Sequence, residues 1–357
     1  MNETAVTEDP CAWFQSAAPT TQLIGYDIIM PLHLVFGLSG HALSLTSFFM
    51  QAKKESAYMY QIFLSFSESI EIITYAIYVA TFYWFSGSEG RAGVSWFMSS
   101  YECMWMTAHV AMPLVNSFVT SSLLLGIAMA SDRVFALGRP MVYKSINHKR
   151  HQLVALVVCT VIGISSSLFD CFRFYPLLGP NGCYVLGVNE HFVGTFLATF
   201  LSQLRNAIRG VGAIGLACCN AAMIILYRSF ARKIGQMAST NNKNSGEIKR
   251  KEQQKMLAIL AVFESMFCLF KMTVFIEYYL VLYIQPEFYE CKGAFQTPIS
   301  DGLIEIFDIC DFYVMFAISK SFREMIFESV PCLKRFAKQS AAPVTSGVAV
   351  SVTVAPR

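Results

Sequence analysis

Two groups of charged residues stand in stretches otherwise too apolar to hold them, and both could do chemistry. The first is the adjacent pair Asp132-Arg133, with Pro140 seven residues beyond the arginine and Tyr143 soon after. An acid and a base at the end of an apolar run lie where hydrocarbon gives way to water, so a small movement can exchange their partners. That is the chemistry of a switch. The second group is Asp301, Glu305, Asp308 and Asp311, whose spacings of four, three and three put four carboxyls on one face of a helix. That face must point inward. Carboxyls sharing a dry pocket cannot all ionise unaided, so either a cation joins them or some stay protonated. The alternative is a set of neutral acids that satisfy one another and nearby backbone.

The elements that must position these groups are membrane spans. Of the 357 residues, 55% are hydrophobic and only 14% charged, and the mean hydropathy is +0.47, which is too apolar for an ordinary soluble protein. A span needs about 20 mostly apolar residues. Seven segments qualify: 24–50, 58–85, 107–130, 153–172, 208–227, 256–283 and 299–318. The fifth is read as the inner part of a longer helix, because Arg205 and Arg209 lie just before it. These arginines place positive charge toward the outer half of that helix, where a ligand would approach. The expected fold is an all-α membrane protein, a seven-transmembrane helix bundle with a short amphipathic surface helix.

Charge sets the orientation. Of the 27 Lys and Arg, 21 fall in the alternate loops and tail that are inside when the N-terminus is outside, leaving six elsewhere. This predicts N-terminus out and C-terminus in, in the plasma membrane. Residues 1–23 are then extracellular, 24–318 form the seven-span domain with a third inner loop at about 228–255, 319–332 form the surface helix, and 333–357 a disordered cytoplasmic tail. Asn2 in Asn-Glu-Thr is an outer glycosylation acceptor by its motif. No cleavable signal peptide is evident, so the first span is expected to act as the insertion signal. Cys332, beside Lys334 and Arg335, is a palmitoylation candidate, with an unmodified thiol as the alternative.

Of the 11 cysteines, Cys11, Cys103, Cys183 and Cys291 fall on the outer, oxidising side. Three pairings are open to them. The favoured one joins Cys103 to Cys183 and Cys11 to Cys291, and free outer thiols are the alternative. The six histidines are dispersed over both sides, and no nucleophile motif or metal spacing occurs. An enzyme is not expected.

The layout and several motifs together resemble the rhodopsin-like G-protein-coupled receptors over about residues 24–335. Asp132-Arg133-Val134 stands where that family has its Asp-Arg-Tyr box, with Pro140 and Tyr143 of the next inner loop at the family's spacing. Gly40-His41-Ala42-Leu43 is similar to its Gly-Asn-x-Leu, with histidine for asparagine, and Glu68 stands for its buried aspartate. Asp311-Phe312-Tyr313-Val314-Met315 replaces Asn-Pro-x-x-Tyr, and Ser319 through Phe322-Arg323 resembles the start of its surface helix. The fourth span lacks the family's tryptophan, the fifth its proline, and the sixth offers Phe267-Cys268-Leu269-Phe270-Lys271 for Cys-Trp-x-Pro. Such erosion looks like the chemosensory and peptide receptors of invertebrates, nematodes in particular, for which a sensory cilium is a further location.

The resemblance implies roles residue by residue. Asp132, Arg133 and Tyr227 form the G-protein switch, and the acidic partner expected for Arg133 is replaced by Lys249 or Gln253, with Glu252 adjacent. Met112, Val115, Asn116, Val119, Lys271, Phe275 and Glu305 line the ligand pocket, Lys271 being open either to an internal acid such as Glu305 or Glu277 or to an acidic ligand group. Glu68, Ser122, Asp308 and Asp311 surround a sodium ion or proton site, and no other cofactor is implied. Val115 stands where amine receptors carry aspartate, and Glu305 where opsins carry the retinal lysine, so neither ligand class is expected. The implied partners are an extracellular small molecule or peptide, a heterotrimeric G protein and membrane lipids, with no nucleic acid. The competing class is a proton- or ion-coupled small-solute transporter using the intramembrane carboxylates.

Overall fold

The computed structural model describes residues 12–52, 58–80, 100–145, 148–179, 184–238, 266, 298–299, 301–303, 305–306, 309, 312–317 and 320–330. Five helices among them are long and apolar enough to cross a membrane: Pro19–Ala52, Tyr58–Val79, Tyr101–Gly138, His148–Phe172 and Phe196–Leu226. They correspond to the first five expected spans. Their outward faces carry apolar side chains such as Val35, Val157, Val161, Val211 and Ile214, all more than half exposed. A soluble protein rarely leaves so much apolar surface uncovered, whereas lipid covers it without cost. The protein is membrane-embedded and predominantly helical. The sixth expected span lies almost wholly outside the described residues, and the seventh is described in part.

Span three is the hub, packing against spans two, four and five. Its inward residues are small: Ser117, Thr120, Ser121 and Ser122 are all at most 4% exposed. Small residues let helix backbones approach where there is no hydrophobic drive between helices, and two of the hydroxyls are met within the helix, Ser117 Oγ donating to the Pro113 carbonyl at 2.7 Å and Thr120 Oγ1 to the Asn116 carbonyl at 2.9 Å. Gly163 of span four uses that closeness, since a Cβ there would come within 2.7 Å of the Ser117 carbonyl oxygen. Below this polar seam, Leu64, Leu123, Leu125, Met129, Leu216 and Met223 close the core between spans two, three and five.

Prolines set local irregularities. Pro31 and Pro113 cannot donate a backbone hydrogen bond, and widened π-helical turns occur beside them at Leu23–Ile29, His33–Gly37 and Thr107–Ala111. Span three stays one continuous helix through its π turn. The 30-residue separation of Cys103 and Arg133 is therefore simple helix length, about 45 Å at 1.5 Å per residue.

The loop after span four departs from the all-helical expectation. Phe174–Leu178 and Tyr184–Val188 pair antiparallel, Phe174 opposite Val188 and Leu178 opposite Tyr184. Asn189 ties the hairpin to the helix before it by donating from Nδ2 to the Phe172 carbonyl at 3.1 Å, and Tyr184 meets Tyr101 of span three edge to face at 5.5 Å. The fifth helix runs from Phe196 to Ala238, longer than its membrane segment, as expected for a span that is part of a longer helix. Lys320–Ser329 is the surface helix. Phe322, Met325 and Ile326 form its buried face against Phe48, Tyr58, Phe312 and Met315, while Glu324 and Glu328 face away.

Candidate functional site

At its Gly138 end, span three breaks where Arg139 leaves helical geometry (φ −134°, ψ 64°), and Pro140 begins a short helix, Pro140–Ser145. A proline in the first helical position costs nothing, because its missing N–H would have been unbonded. This break turns Tyr143 back toward the third span. Its hydroxyl donates to Asp132 Oδ2 at 3.0 Å, and its ring packs between Phe135 (6.1 Å) and His148 (3.9 Å). Arg133 Nη2 lies 3.9 Å from the same oxygen, the two side chains being 12% and 15% exposed. Burial, reinforced by the negative Asp132, holds the Tyr143 hydroxyl above the ordinary tyrosine range, so it stays a donor. The structure thus brings together Asp132, Arg133 and Tyr143. Tyr227 falls within the fifth helix, but its side chain, like Lys249, Glu252 and Gln253, lies outside the described residues.

Deeper in the bundle, His41 Nδ1 of span one approaches Glu68 Oε2 of span two to 3.6 Å. Each is a substitution in a separate sequence motif, and folding pairs them. Ser122 is 4% exposed, and its hydroxyl has no hydrogen-bond partner among the described residues. Asp308 and Asp311 lie outside those residues, so the expected four-residue cation site is described only at Glu68 and Ser122.

The seventh segment carries Asp301 and Glu305 inward, while Leu303 and Ile306 face outward at 41% and 40% exposure. The inward carboxyl face is therefore observed at these two positions. Asp301 Oδ2 accepts hydrogen bonds from Tyr75 of span two and, at 3.4 Å, from Tyr26 of span one. Glu305 is 2% exposed. One carboxyl thus ties three spans together.

The two arginines of the fifth helix do not present charge to an approaching ligand, and that expectation is corrected. Both are buried, at 2% and 4% exposure. Arg205 forms an ion pair with Asp170 at the end of span four and stacks 4.8 Å over the Phe169 ring. Arg209 donates from Nε to Thr120 Oγ1 at 3.0 Å, and from Nη2 to the backbone carbonyl of Asn116 at 2.9 Å and its Oδ1 at 3.1 Å. Burying a guanidinium is costly without such partners, so the sequence supplies them from neighbouring helices. Asp170 was not picked out from sequence. The available signal was an acid inside the fourth apolar run facing an arginine inside the fifth helix.

This network includes residues of the expected ligand pocket. Asn116 is engaged by Arg209 and also donates Nδ2 to the Met112 carbonyl at 3.3 Å. Val119 is a buried member of the core, and Val115 packs against it. Met112 is half-buried beside the π turn of span three, and Lys271 and Phe275 lie outside the described residues. Cys103 is half-buried at the hairpin end of span three and forms no disulfide among the described residues. Cys183, Cys11 and Cys291, with Asn2 and Cys332, lie outside the described residues. Comparison with protein-family models and with curated proteins finds no match.

Proposed function

We propose that this chain is a seven-helix receptor of the rhodopsin-like G-protein-coupled type, with its N-terminus outside and its third-span Asp-Arg pair inside the cell. It binds an extracellular ligand, a small molecule or peptide, and activates a heterotrimeric G protein; it is not an enzyme. The observation that carries this reading is the Asp132-Arg133-Tyr143 cluster at the Gly138 end of span three. A receptor of this kind is a two-state bundle, and its ligand shifts populations by binding one state more tightly. Arg133 is positioned to exchange Asp132 for a G-protein group when the inner helix ends part. The charge asymmetry of the loops supports the orientation, and the surface helix packed on span one supports the layout.

The test is a ligand screen in cells carrying a promiscuous G protein, repeated with Arg133→Ala. A ligand-evoked response that the substitution abolishes is expected. A response that survives it unchanged would overturn the assignment. Solute uptake driven by a pH gradient, with no G-protein response, is the result a transporter would give.

A further inference from the structure

Where span four ends and the fifth helix begins, a cleft of about 160 Å³ opens between Phe169, Arg173 and Phe192 on one side and Thr199, Ser202 and Gln203 on the other. None of the expected ligand residues described in spans three and seven lines it. Its charged residue is Arg173. The nearest acid in sequence, Asp170, is committed to Arg205, and Arg173 has no ion-pair partner among the described residues, its guanidinium resting instead on the Phe174 ring at 5.3 Å. A cation in this position, in a cleft also lined by the hydroxyl of Ser202, suits an anionic oxygen group. Such a group would accept a charge-assisted bond from Arg173 and a neutral one from Ser202.

Size decides what the rest of the ligand must be. Sites that enclose a whole small ligand run to about 300–1,000 Å³, so a cleft of about 160 Å³ admits only one end of a molecule. The surface one turn away is apolar. Phe196 and Phe200 stack at 6.1 Å and stand 84% and 51% exposed, with Leu197 and Leu204 beside them along the helix. We propose that this cleft seats the carboxylate head of a single-chain amphiphile, a fatty acid in its simplest form, whose chain lies along Phe196 and Phe200. The ligand reaches the site sideways, through the membrane. Arg173 sets the preference for the anion and the phenylalanines set the preference for a chain. This holds whether or not the chain couples to a G protein.

The test uses the full chain purified in lipid nanodiscs and a dansyl-labelled straight-chain fatty acid, with its methyl ester as the neutral control. Saturable fluorescence enhancement by the acid, well above that of the ester, is expected. Arg173→Gln weakens it about tenfold or more, the loss of one charge-assisted hydrogen bond, while Arg173→Lys keeps most of it. Thr199→Trp, at an exposed position, fills the cleft and abolishes saturation without altering the thermal unfolding midpoint. Equal binding of acid and ester, or unchanged binding in Arg173→Gln and Thr199→Trp, would show partition into lipid only and overturn the proposal.

Discussion

The Tyr143 hydroxyl donates to Asp132 Oδ2 at 3.0 Å, and Arg133 lies 3.9 Å from that same oxygen. One carboxylate oxygen is thus shared by a neutral donor from the short helix and a cation from span three. The neutral bond fixes the acid and leaves the cation loosely held. Tyr143→Phe removes the fixed donor and keeps the ring. The expected result is raised ligand-independent G-protein activation, with a stability loss of about 1 kcal/mol, typical of one hydrogen bond. Basal nucleotide exchange beside the unfolding midpoint measures both, and basal exchange equal to wild type would count against the shared-acid switch.

The same contact has a pH signature. Burial raises the Tyr143 hydroxyl above its ordinary value of 10.0. A group whose folded pKa is raised contributes stability that is fully present below the unfolded value, and that stability is lost as pH rises through the folded one. Wild type should therefore lose stability above about pH 10 more steeply than Tyr143→Phe, and the two curves should run parallel below it. Unfolding midpoints at stepped alkaline pH test this.

The ion pair of Asp170 and Arg205 is the part of the bundle least legible from sequence. Hydropathy located spans one to five, because a run of apolar residues is a local property, and heptad-independent charge spacing located the inward face of Asp301 and Glu305. Pairing across helices is not local. Arg205 in isolation reads as a charge available to a ligand, and only the packing of span four against the fifth helix shows that Asp170 takes it. His41 and Glu68 were likewise visible singly, as substitutions in two motifs, while their 3.6 Å approach needs the fold. The hairpin is legible only in the turn residues Gly179-Pro180-Asn181-Gly182, because its strands of five residues each are too short to show a period of their own beside the apolar helix before them.

Removing one member of that pair should be severe. Asp170→Asn leaves a buried guanidinium without its counter-charge, as Arg205→Met leaves a buried carboxylate, and each is expected to cost about 3–5 kcal/mol. The double replacement Asp170→Leu with Arg205→Met should recover most of the loss, since well-packed apolar pairs commonly match buried ion pairs. Unfolding in detergent of the two singles and the double forms the cycle. Losses that simply add in the double would mean that the two residues act independently.

His41 bears on what the Glu68 site can hold. Its imidazole approaches the carboxylate to 3.6 Å, the place a bound cation would take. Wild-type stability should therefore be indifferent to exchange of potassium for sodium at constant ionic strength, and His41→Asn should gain a sodium-dependent rise in unfolding midpoint that Glu68→Gln removes. A sodium effect of the same size in wild type would show that the imidazole does not exclude the ion.

Gly163 gives the sharpest test of the packing around span three. Helix propensity alone favours alanine over glycine by about 1 kcal/mol within a helix. Packing argues the opposite, because the added Cβ would come within 2.7 Å of the Ser117 carbonyl oxygen, a backbone atom that cannot rotate away. Relief requires spans three and four to move apart along a seam of small residues, and overpacking of this kind costs about 1–3 kcal/mol. The second effect is the larger, so Gly163→Ala should lower the unfolding midpoint, and Gly163→Val should lower it further. Gly210, whose Cβ would meet nothing within 4 Å, is the internal control. Gly210→Ala should raise stability slightly by the propensity term alone, and equal effects at the two positions would refute the close approach of spans three and four.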